Sequence, residues 1–192
     1  FEEIKKISDF CRKNNLPLHL DGARLMNAMA ENNVDLKTYA AEFDSISLCL
    51  SKGLGAPVGS LLIGKKDFIY KARRVRKVFG GGMRQAGIIA AGGLYALKNN
   101  VKRLTKDHSN ARALEAAFNE LEWVIEVPKV DTNIVVVILK DESKRDEIIS
   151  ELANQEIKVM AFGPGMIRLV THLDVSKDEI DQTITTIRSL RV

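Results

Sequence analysis

The first hundred residues alternate between helical hydrophobic periodicity and short apolar runs. Apolar residues recur every three or four positions over 4–11 and again over 25–30, which predicts helices. Short apolar runs at 17–21, 43–50 and 58–63 are typical of strands, and the second is continuous enough to be buried on both faces. Because helix and strand alternate, we predict an α/β fold with parallel strand pairs.

The rest of the chain has a different pattern. Helices are predicted over 67–77, 83–99 and 101–121, and a run of three glycines separates the first two. Beyond them, four short strands are predicted at 123–127, 133–139, 158–162 and 166–172, with helices at 144–155 and 178–190. We therefore predict two domains, residues 1–104 as part of a mostly parallel sheet and residues 105–192 as a small α+β domain.

Composition narrows the class of protein. The chain has 192 residues, of which 45% are hydrophobic and 28% charged, as in an ordinary globular protein. No apolar run approaches the roughly 18 residues that a membrane span requires, so we expect no integral membrane protein and no membrane partner. Two cysteines, Cys11 and Cys49, are too few for a disulfide framework, which favours a reducing, cytoplasmic location.

The formal net charge of +4 owes much to one basic stretch. A nucleic-acid patch is one interpretation of this stretch. A solvated helix face beside an anionic cofactor or an interface is the interpretation that we favour, since few aromatic residues interleave with the charges. The basic residues are Lys65, Lys66, Lys71, Arg73, Arg74, Arg76 and Lys77.

Two charged residues follow predicted strands, and each is followed by glycine. Asp21 and Lys52 lie 31 positions apart, which fits one strand-helix-strand crossover. Because ligands bind at the carboxyl ends of parallel strands, this spacing predicts a carboxylate and an amine in one crevice.

Burial at a strand end would disfavour the charged form of Lys52, and a neutral amine is the nucleophile that Schiff-base chemistry requires. A carboxylate there needs a cationic or hydrogen-bonded partner, and one candidate is the protonated ring nitrogen of pyridoxal phosphate (PLP). Asp21 could instead cap a helix. His19 shares a strand face with Asp21, and we predict a satisfied core histidine.

Four segments together resemble the L-threonine aldolase family, in the β-eliminating lyase group of aspartate-aminotransferase-type PLP enzymes. They occur in the order expected for that family and span residues 19 to 172. The segments are 19–28 (HLDGARLMNA), 47–59 (SLCLSKGLGAPVG), 80–87 (GGGMRQAG) and 166–172 (MIRLVTH).

The resemblance implies a role for each matching residue in the first predicted domain. Lys52 forms a Schiff base with PLP, Asp21 pairs with the pyridine nitrogen, and Arg24 lies near the phenolic oxygen. Ser51 helps to hold the phosphate. Arg84 either reaches a phosphate, within its own chain or across a dimer interface, or forms an interface ion pair.

In the second predicted domain, the resemblance implies that Arg168 binds the substrate α-carboxylate, which its planar guanidinium matches. His172 shares a face with Arg168 if the strand is straight, and we predict a structural role for this histidine. No metal site is predicted.

The implied reaction is cleavage of L-threonine or L-allo-threonine to glycine and acetaldehyde by a PLP-dependent aldehyde-lyase. The family also implies a homodimer or homotetramer that acts on a small β-hydroxy amino acid and binds no nucleic acid.

The residues match only the C-terminal part of a family member, so residues 1–104 correspond to the C-terminal part of its PLP-binding large domain. We expect a fragment that lacks the N-terminal half and is inactive alone. Another PLP enzyme of this fold (a β-elimination lyase or an aminotransferase) and a non-enzymatic fragment are the alternatives.

Overall fold

A computed structural model describes residues 1–32 and 34–191 of the chain. They form two compact units, of which the first comprises Phe1–Lys102 and the second begins at Arg103. The first unit contains α1 (Glu2–Lys13), β1 (His19–Gly22), α2 (Leu25–Glu31), α3 (Leu36–Ala40), β2 (Ser45–Cys49), β3 (Ser60–Gly64), α4 (Lys66–Val78) and α5 (Gly87–Asn99). The second contains α6 (Leu104–Asn119), β4 (Val124–Glu126), β5 (Ile134–Leu139), a 3-10 helix (Glu142–Lys144), α7 (Arg145–Asn154), β6 (Met160–Gly163), β7 (Met166–Val170) and α8 (Lys177–Ser189).

The first unit is built on a sheet of three strands in the order β1-β2-β3. β1 and β2 pair in parallel, joined through α2 and α3, whereas β3 pairs antiparallel to β2. A parallel connection needs a dozen or more residues, and only residues 50–59 separate β2 from β3. The α/β prediction is confirmed, and parallel pairing holds for the first two strands alone.

The two faces of this sheet differ. Ile46 and Leu48 of β2 are buried, while Ser45, Ser47 and Cys49 on the other face are partly exposed. The prediction that this strand is buried on both faces is therefore wrong, because the described residues of the unit cover only one face well. Every residue of β3 is exposed, although its sequence is apolar.

The second unit has a four-stranded antiparallel sheet in the order β4-β5-β7-β6. α6 packs on β4, β5 and α8, and α7 packs on β6 and β7. Alternate residues of β5 and β7, including Val135, Val137 and Ile167, are almost fully buried against these helices. Phe118 of α6 packs edge-on against Trp123 at a centroid separation of 6.0 Å. This unit therefore has a continuous hydrophobic core of its own.

A buried polar network ties α6 to the strands of the second unit. The fully buried carboxylate of Asp107 accepts hydrogen bonds from both terminal nitrogens of the Arg103 guanidinium. The Thr171 hydroxyl donates to the backbone carbonyl of Asp107 at 2.7 Å. The Asn133 amide in turn donates to the carbonyl of Thr171 at 2.8 Å. Because buried polar groups are costly unless paired, this network fixes the end of β7 against α6.

Several predicted helix and strand ends shift for local reasons. The helix predicted from residue 83 begins at Gly87, because Gln85 has a φ of +51° that no helix accommodates. α8 begins with a capping box, in which Ser176 and Glu179 bond to each other's backbone nitrogens. In the part of the chain that the structure describes, no helix is long and apolar enough to cross a membrane.

Candidate active site

The parallel pairing of β1 and β2 places the ends of both strands at one edge of the sheet. Asp21 of β1 is the register partner of Ser47 in β2. Ser51 and Lys52 follow directly beyond the end of β2 at the same edge. The structure thus brings Asp21, Ser51 and Lys52 to one sheet edge, as their spacing predicts.

Lys52 lies at the tip of a tight loop after β2. The backbone N–H of Gly55 donates to the carbonyl of Lys52 at 2.8 Å, and Gly55 adopts the left-handed φ of +69°. Ala56 then bonds back to the carbonyl of Leu50 at 3.0 Å. The Lys52 side chain itself is exposed. The prediction that Lys52 is buried is therefore wrong, since the glycine turn directs the chain out of the sheet immediately after Leu50.

Asp21 is also exposed. Its Oδ1 accepts a hydrogen bond from the backbone N–H of Ala23 at 3.1 Å. The alternative that Asp21 caps a helix is wrong, because α2 begins at Leu25 and its N-cap residue is Arg24. Arg24 is half-buried and follows β1 at the same sheet edge.

His19 contributes to the more polar face of the sheet. Its Nδ1 lies 2.8 Å from the hydroxyl of Ser45, its register partner on β2. The ring is exposed, so the prediction of a core histidine is wrong: the face that His19 shares with Asp21 is the open one.

Cys49 is a residue of this edge that sequence reasoning assigned no role. Its Sγ lies 3.6 Å from the Ser51 hydroxyl, and Ser60 is its register partner on β3. Burial alone would raise the pKa of the Cys49 thiol, but hydrogen bonds with Ser51 and Ser60 and the charge of Lys52 outweigh burial and lower the pKa. Strand alternation places Cys49 on the face of Ser47, and the register that pairs Ser47 with Asp21 places both on the face of Asp21.

Arg84 lies in the segment between α4 and α5, and its side chain is exposed. The glycine run folds back on α4, where the N–H of Gly81 donates to the carbonyl of Arg76 at 2.8 Å. Gly80 has a φ of +80°, which permits this reversal. α5 begins three residues after Arg84 and has no side-chain hydrogen bond at its N-cap.

Arg168 belongs to the second unit. It is half-buried on β7, where Val136 of β5 and Met160 of β6 are its register partners. The guanidinium carbon lies 5.8 Å from the centroid of the Phe162 ring. The face of β7 that carries Arg168 is opposite to the face that packs in the core.

His172 lies beyond the end of β7, so strand alternation does not reach it and the prediction of a face shared with Arg168 is unsupported. Its Nδ1 accepts a hydrogen bond from the backbone N–H of Asp174 at 3.3 Å. This contact closes the turn that leads to α8. Among the described residues, no group of three or more His, Cys, Asp or Glu side chains could hold a metal ion.

A cavity of about 480 Å³ lies at the other edge of the first sheet, where β1 and β2 begin. Its lining includes Leu18 before β1, Asp44 before β2 and Gly64 at the end of β3. None of the predicted site residues lines this cavity, so the volume of the cavity is not evidence for an active site there.

Comparison with known proteins identifies the relatives of this chain. The chain is 45% identical to the low specificity L-threonine aldolase of Escherichia coli (strain K12) over 93% of its own length and 52% of that protein. It is 42% identical to the low-specificity L-threonine aldolase of Candida albicans over 94% of its length and 47% of that protein. The solved threonine aldolase of Leishmania major matches 97% of this chain and 55% of that one, with a TM-score of 0.81 and 24% identity.

The chain spans about half the length of the curated relatives that it matches. The resemblance to L-threonine aldolases predicted from four motifs is confirmed by these relatives. Residues 1–142 match the family described as beta-eliminating lyase. This chain therefore belongs to the beta-eliminating lyase family.

Proposed function

We propose that this chain supplies part of a PLP-dependent aldehyde-lyase that cleaves L-threonine or L-allo-threonine to glycine and acetaldehyde. The observation that carries the proposal is the parallel pairing of β1 and β2, which sets Asp21 and Lys52 at one sheet edge. The names of the E. coli and C. albicans relatives, both low-specificity L-threonine aldolases, support the substrate class.

The residues at this edge fit PLP. Lys52 offers an exposed primary amine, Asp21 an exposed carboxylate, and Ser51 a hydroxyl beside the amine. When bound, PLP supplies an electron sink for the bond that breaks at the substrate Cα. The amine of Lys52 can bind the aldehyde of PLP, and the carboxylate of Asp21 can pair with the protonated ring nitrogen. The hydroxyl of Ser51 can donate a hydrogen bond to a phosphate oxygen.

We assign each residue a step on that basis. The Lys52 amine would hold the cofactor through its aldehyde group. The Asp21 carboxylate keeps the proton on the pyridine nitrogen, so that the ring stays cationic. Ser51 donates to the phosphate, Arg24 stabilises the phenolic oxygen, and Arg84 serves a phosphate or an interface.

In the second unit, we assign Arg168 to the substrate α-carboxylate. A half-buried guanidinium on an otherwise apolar strand offers two parallel N–H donors to a carboxylate. Holding the carboxylate restricts rotation about the Cα bonds, which selects the bond that breaks. His172 keeps a structural role in this proposal.

We further propose that activity requires more polypeptide than this chain. β3 is exposed on both faces, and an open sheet of this kind is stable only when it is paired or covered. In this proposal residues 1–104 are the C-terminal part of a large PLP-binding domain and residues 105–192 a small domain. The complete enzyme is a homodimer or homotetramer, and the isolated chain binds PLP poorly and turns over little substrate. A cytoplasmic location stays a prediction from the cysteines.

Borohydride trapping tests the cofactor assignment. The complete polypeptide is incubated with PLP, reduced with borohydride and digested, and we expect mass spectrometry to find the added pyridoxyl group on the peptide that contains Lys52. Lys52→Ala should lose the group and the visible absorbance band, whereas the exposed Lys71→Ala should keep both. A group found on another lysine, or retained after Lys52→Ala, overturns the assignment.

A substrate panel tests the reaction. We expect acetaldehyde and glycine from L-threonine and from L-allo-threonine. Release of ammonia with a keto acid, or transfer of the amino group, would instead favour the fold-related lyase or aminotransferase. Salt-dependent nucleic-acid binding without a cofactor absorbance band would favour the non-enzymatic alternative.

A further inference from the structure

An exposed aromatic ring lies over the guanidinium of Arg168. The Phe162 ring centroid is 5.8 Å from the guanidinium carbon, within the range of about 6 Å at which a cation and a ring attract each other. Phe162 is 60% exposed, so its ring contributes little to the core of the second unit. Core packing therefore does not account for this position.

The edge strand β6 places Phe162 on the face of the sheet that carries Arg168. β6 lies at the edge of the sheet and pairs only with β7. Met160 is opposite Arg168 and Ala161 is opposite Ile167, but the next register pair joins Gly163 to Met166. Phe162 is thus the extra residue of the irregular segment, two positions after Met160, the register partner of Arg168.

Two contacts hold the bulge in place. The guanidinium of Arg145, at the start of α7, donates to the carbonyl of Gly163 at 2.7 Å. The turn that follows contains Pro164 and Gly165, and Gly165 has a φ of +60°. The carbonyl of Gly165 accepts a hydrogen bond from the backbone N–H of Leu139 at 2.9 Å. The backbone that follows Phe162 is therefore anchored to elements with a buried core, and Ala161 before it pairs with Ile167 of β7.

We propose that Phe162 is a positioning residue whose ring holds the Arg168 guanidinium in the orientation that receives the substrate carboxylate. This inference rests on the proposed function of Arg168. A guanidinium on a free side chain loses rotamer freedom when it forms a bidentate pair. Contact with a ring restricts that freedom beforehand, and the N–H groups directed away from the ring stay available to a carboxylate.

Nuclear magnetic resonance tests the stack on the 192-residue chain without cofactor or substrate. We expect nuclear Overhauser contacts between the Phe162 ring protons and the Arg168 side chain. In Phe162→Leu, the Arg168 Nε–H resonance should move because the ring current is lost, whereas Phe162→Tyr should keep its position. Ile125→Leu, at a side chain 62% exposed on β4, which does not pair with β7, is the matched control and should leave the resonance in place.

Kinetics of the complete enzyme tests the consequence. Phe162→Leu should raise KM for L-threonine about three- to tenfold while kcat stays within about twofold, because a preorganised cation contributes to binding of the carboxylate. In Phe162→Tyr, KM should stay within about twofold of the value for the unsubstituted enzyme. Arg168→Lys should raise KM at least as much as Phe162→Leu.

The outcomes separate the two proposals. Absence of the Overhauser contacts, or an unmoved Arg168 resonance in Phe162→Leu, overturns the stack. An unchanged KM in Phe162→Leu beside a raised KM in Arg168→Lys overturns the positioning role. If Arg168→Lys leaves KM unchanged, the proposed function of Arg168 fails. The Arg168 Nε–H resonance alone then tests whether the Phe162 ring contacts the guanidinium.

Discussion

The two units of this chain differ in how they treat apolar side chains. Among the described residues, twenty-one large hydrophobic side chains are exposed, and seventeen of these belong to the first unit. The main hydrophobic cluster, by contrast, lies wholly within the second unit. Both units carry a mixture of helices and strands, so the difference lies in what covers the sheet rather than in the kind of secondary structure.

The candidate reactive residues of the first unit are exposed, whereas the second unit contains the main hydrophobic core. Asp21, Ser51 and Lys52 are exposed at an open sheet edge, where a ligand can reach them. Arg168 is held by a strand whose alternate residues are buried in a complete core. Among the described residues, the reactive groups of the first unit are therefore exposed, whereas Arg168 lies on a strand whose other face is buried.

The largest expected effect comes from the core of the second unit. Leu152→Ala should lower the free energy of unfolding of that unit by about 2–5 kcal/mol, since Leu152 is fully buried and its loss leaves a cavity. Urea unfolding followed by fluorescence of Trp123, the single tryptophan, measures this change. Leu173→Ala, at a side chain 41% exposed in the same unit, is the control and should lose under about 1 kcal/mol. Equal losses would contradict a closed core.

Hydrogen exchange compares the two sheets directly. Amides of β3 that pair with β2 should be protected about a hundredfold less than amides of β5, because β3 is exposed on both faces and β5 is central in its sheet. Exchange followed by mass spectrometry or magnetic resonance measures both in one sample. In the complete polypeptide, β3 should gain protection and β5 should not. Similar protection of the two strands in the 192-residue chain would refute the contrast.

A smaller effect is expected at the start of α8. Ser176→Ala should lower the free energy of unfolding of the second unit by about 1 kcal/mol, since the hydroxyl caps the N–H of Glu179. The measurement is again urea unfolding reported by Trp123. Ser189→Ala, at the other end of the helix, is the control and should change little. A loss at Ser189 as large as that at Ser176 would argue against a specific cap.

The smallest effect concerns acid pH. Hydrogen bonds from the Ser176 backbone and then from its hydroxyl lower the pKa of Glu179 below its ordinary value of 4.5. A carboxyl whose pKa is lower in the folded state stabilises that state above the unfolded pKa, and this contribution disappears as pH falls through the folded pKa. Urea midpoints of the second unit should therefore fall on acidification below about pH 4.5, and less steeply in Glu179→Gln. Identical slopes in the two proteins would show that the capping box is not the source.

Local pattern predicted most of the elements and the positions of Asp21 and Lys52, whereas the other candidate site residues came from the family resemblance. Every predicted strand has a counterpart in the structure, because short apolar runs between turn residues leave few alternatives. The pairing of the strands that precede Asp21 and Lys52 followed from the length of the crossover between them. Helix ends were less accurate, since Gln85 adopts a backbone conformation that its side chain does not signal.

The sequence by itself determined the order of elements and the placement of a carboxylate, a hydroxyl and an amine after two adjacent strands, because periodicity and crossover length are local properties. Only the tertiary structure decided which faces are covered. It left His19 and Lys52 exposed, turned β3 antiparallel, and placed the centroid of the Phe162 ring 5.8 Å from the guanidinium carbon of Arg168. Burial and contacts between strands depend on residues far apart in the chain, and no local pattern encodes them.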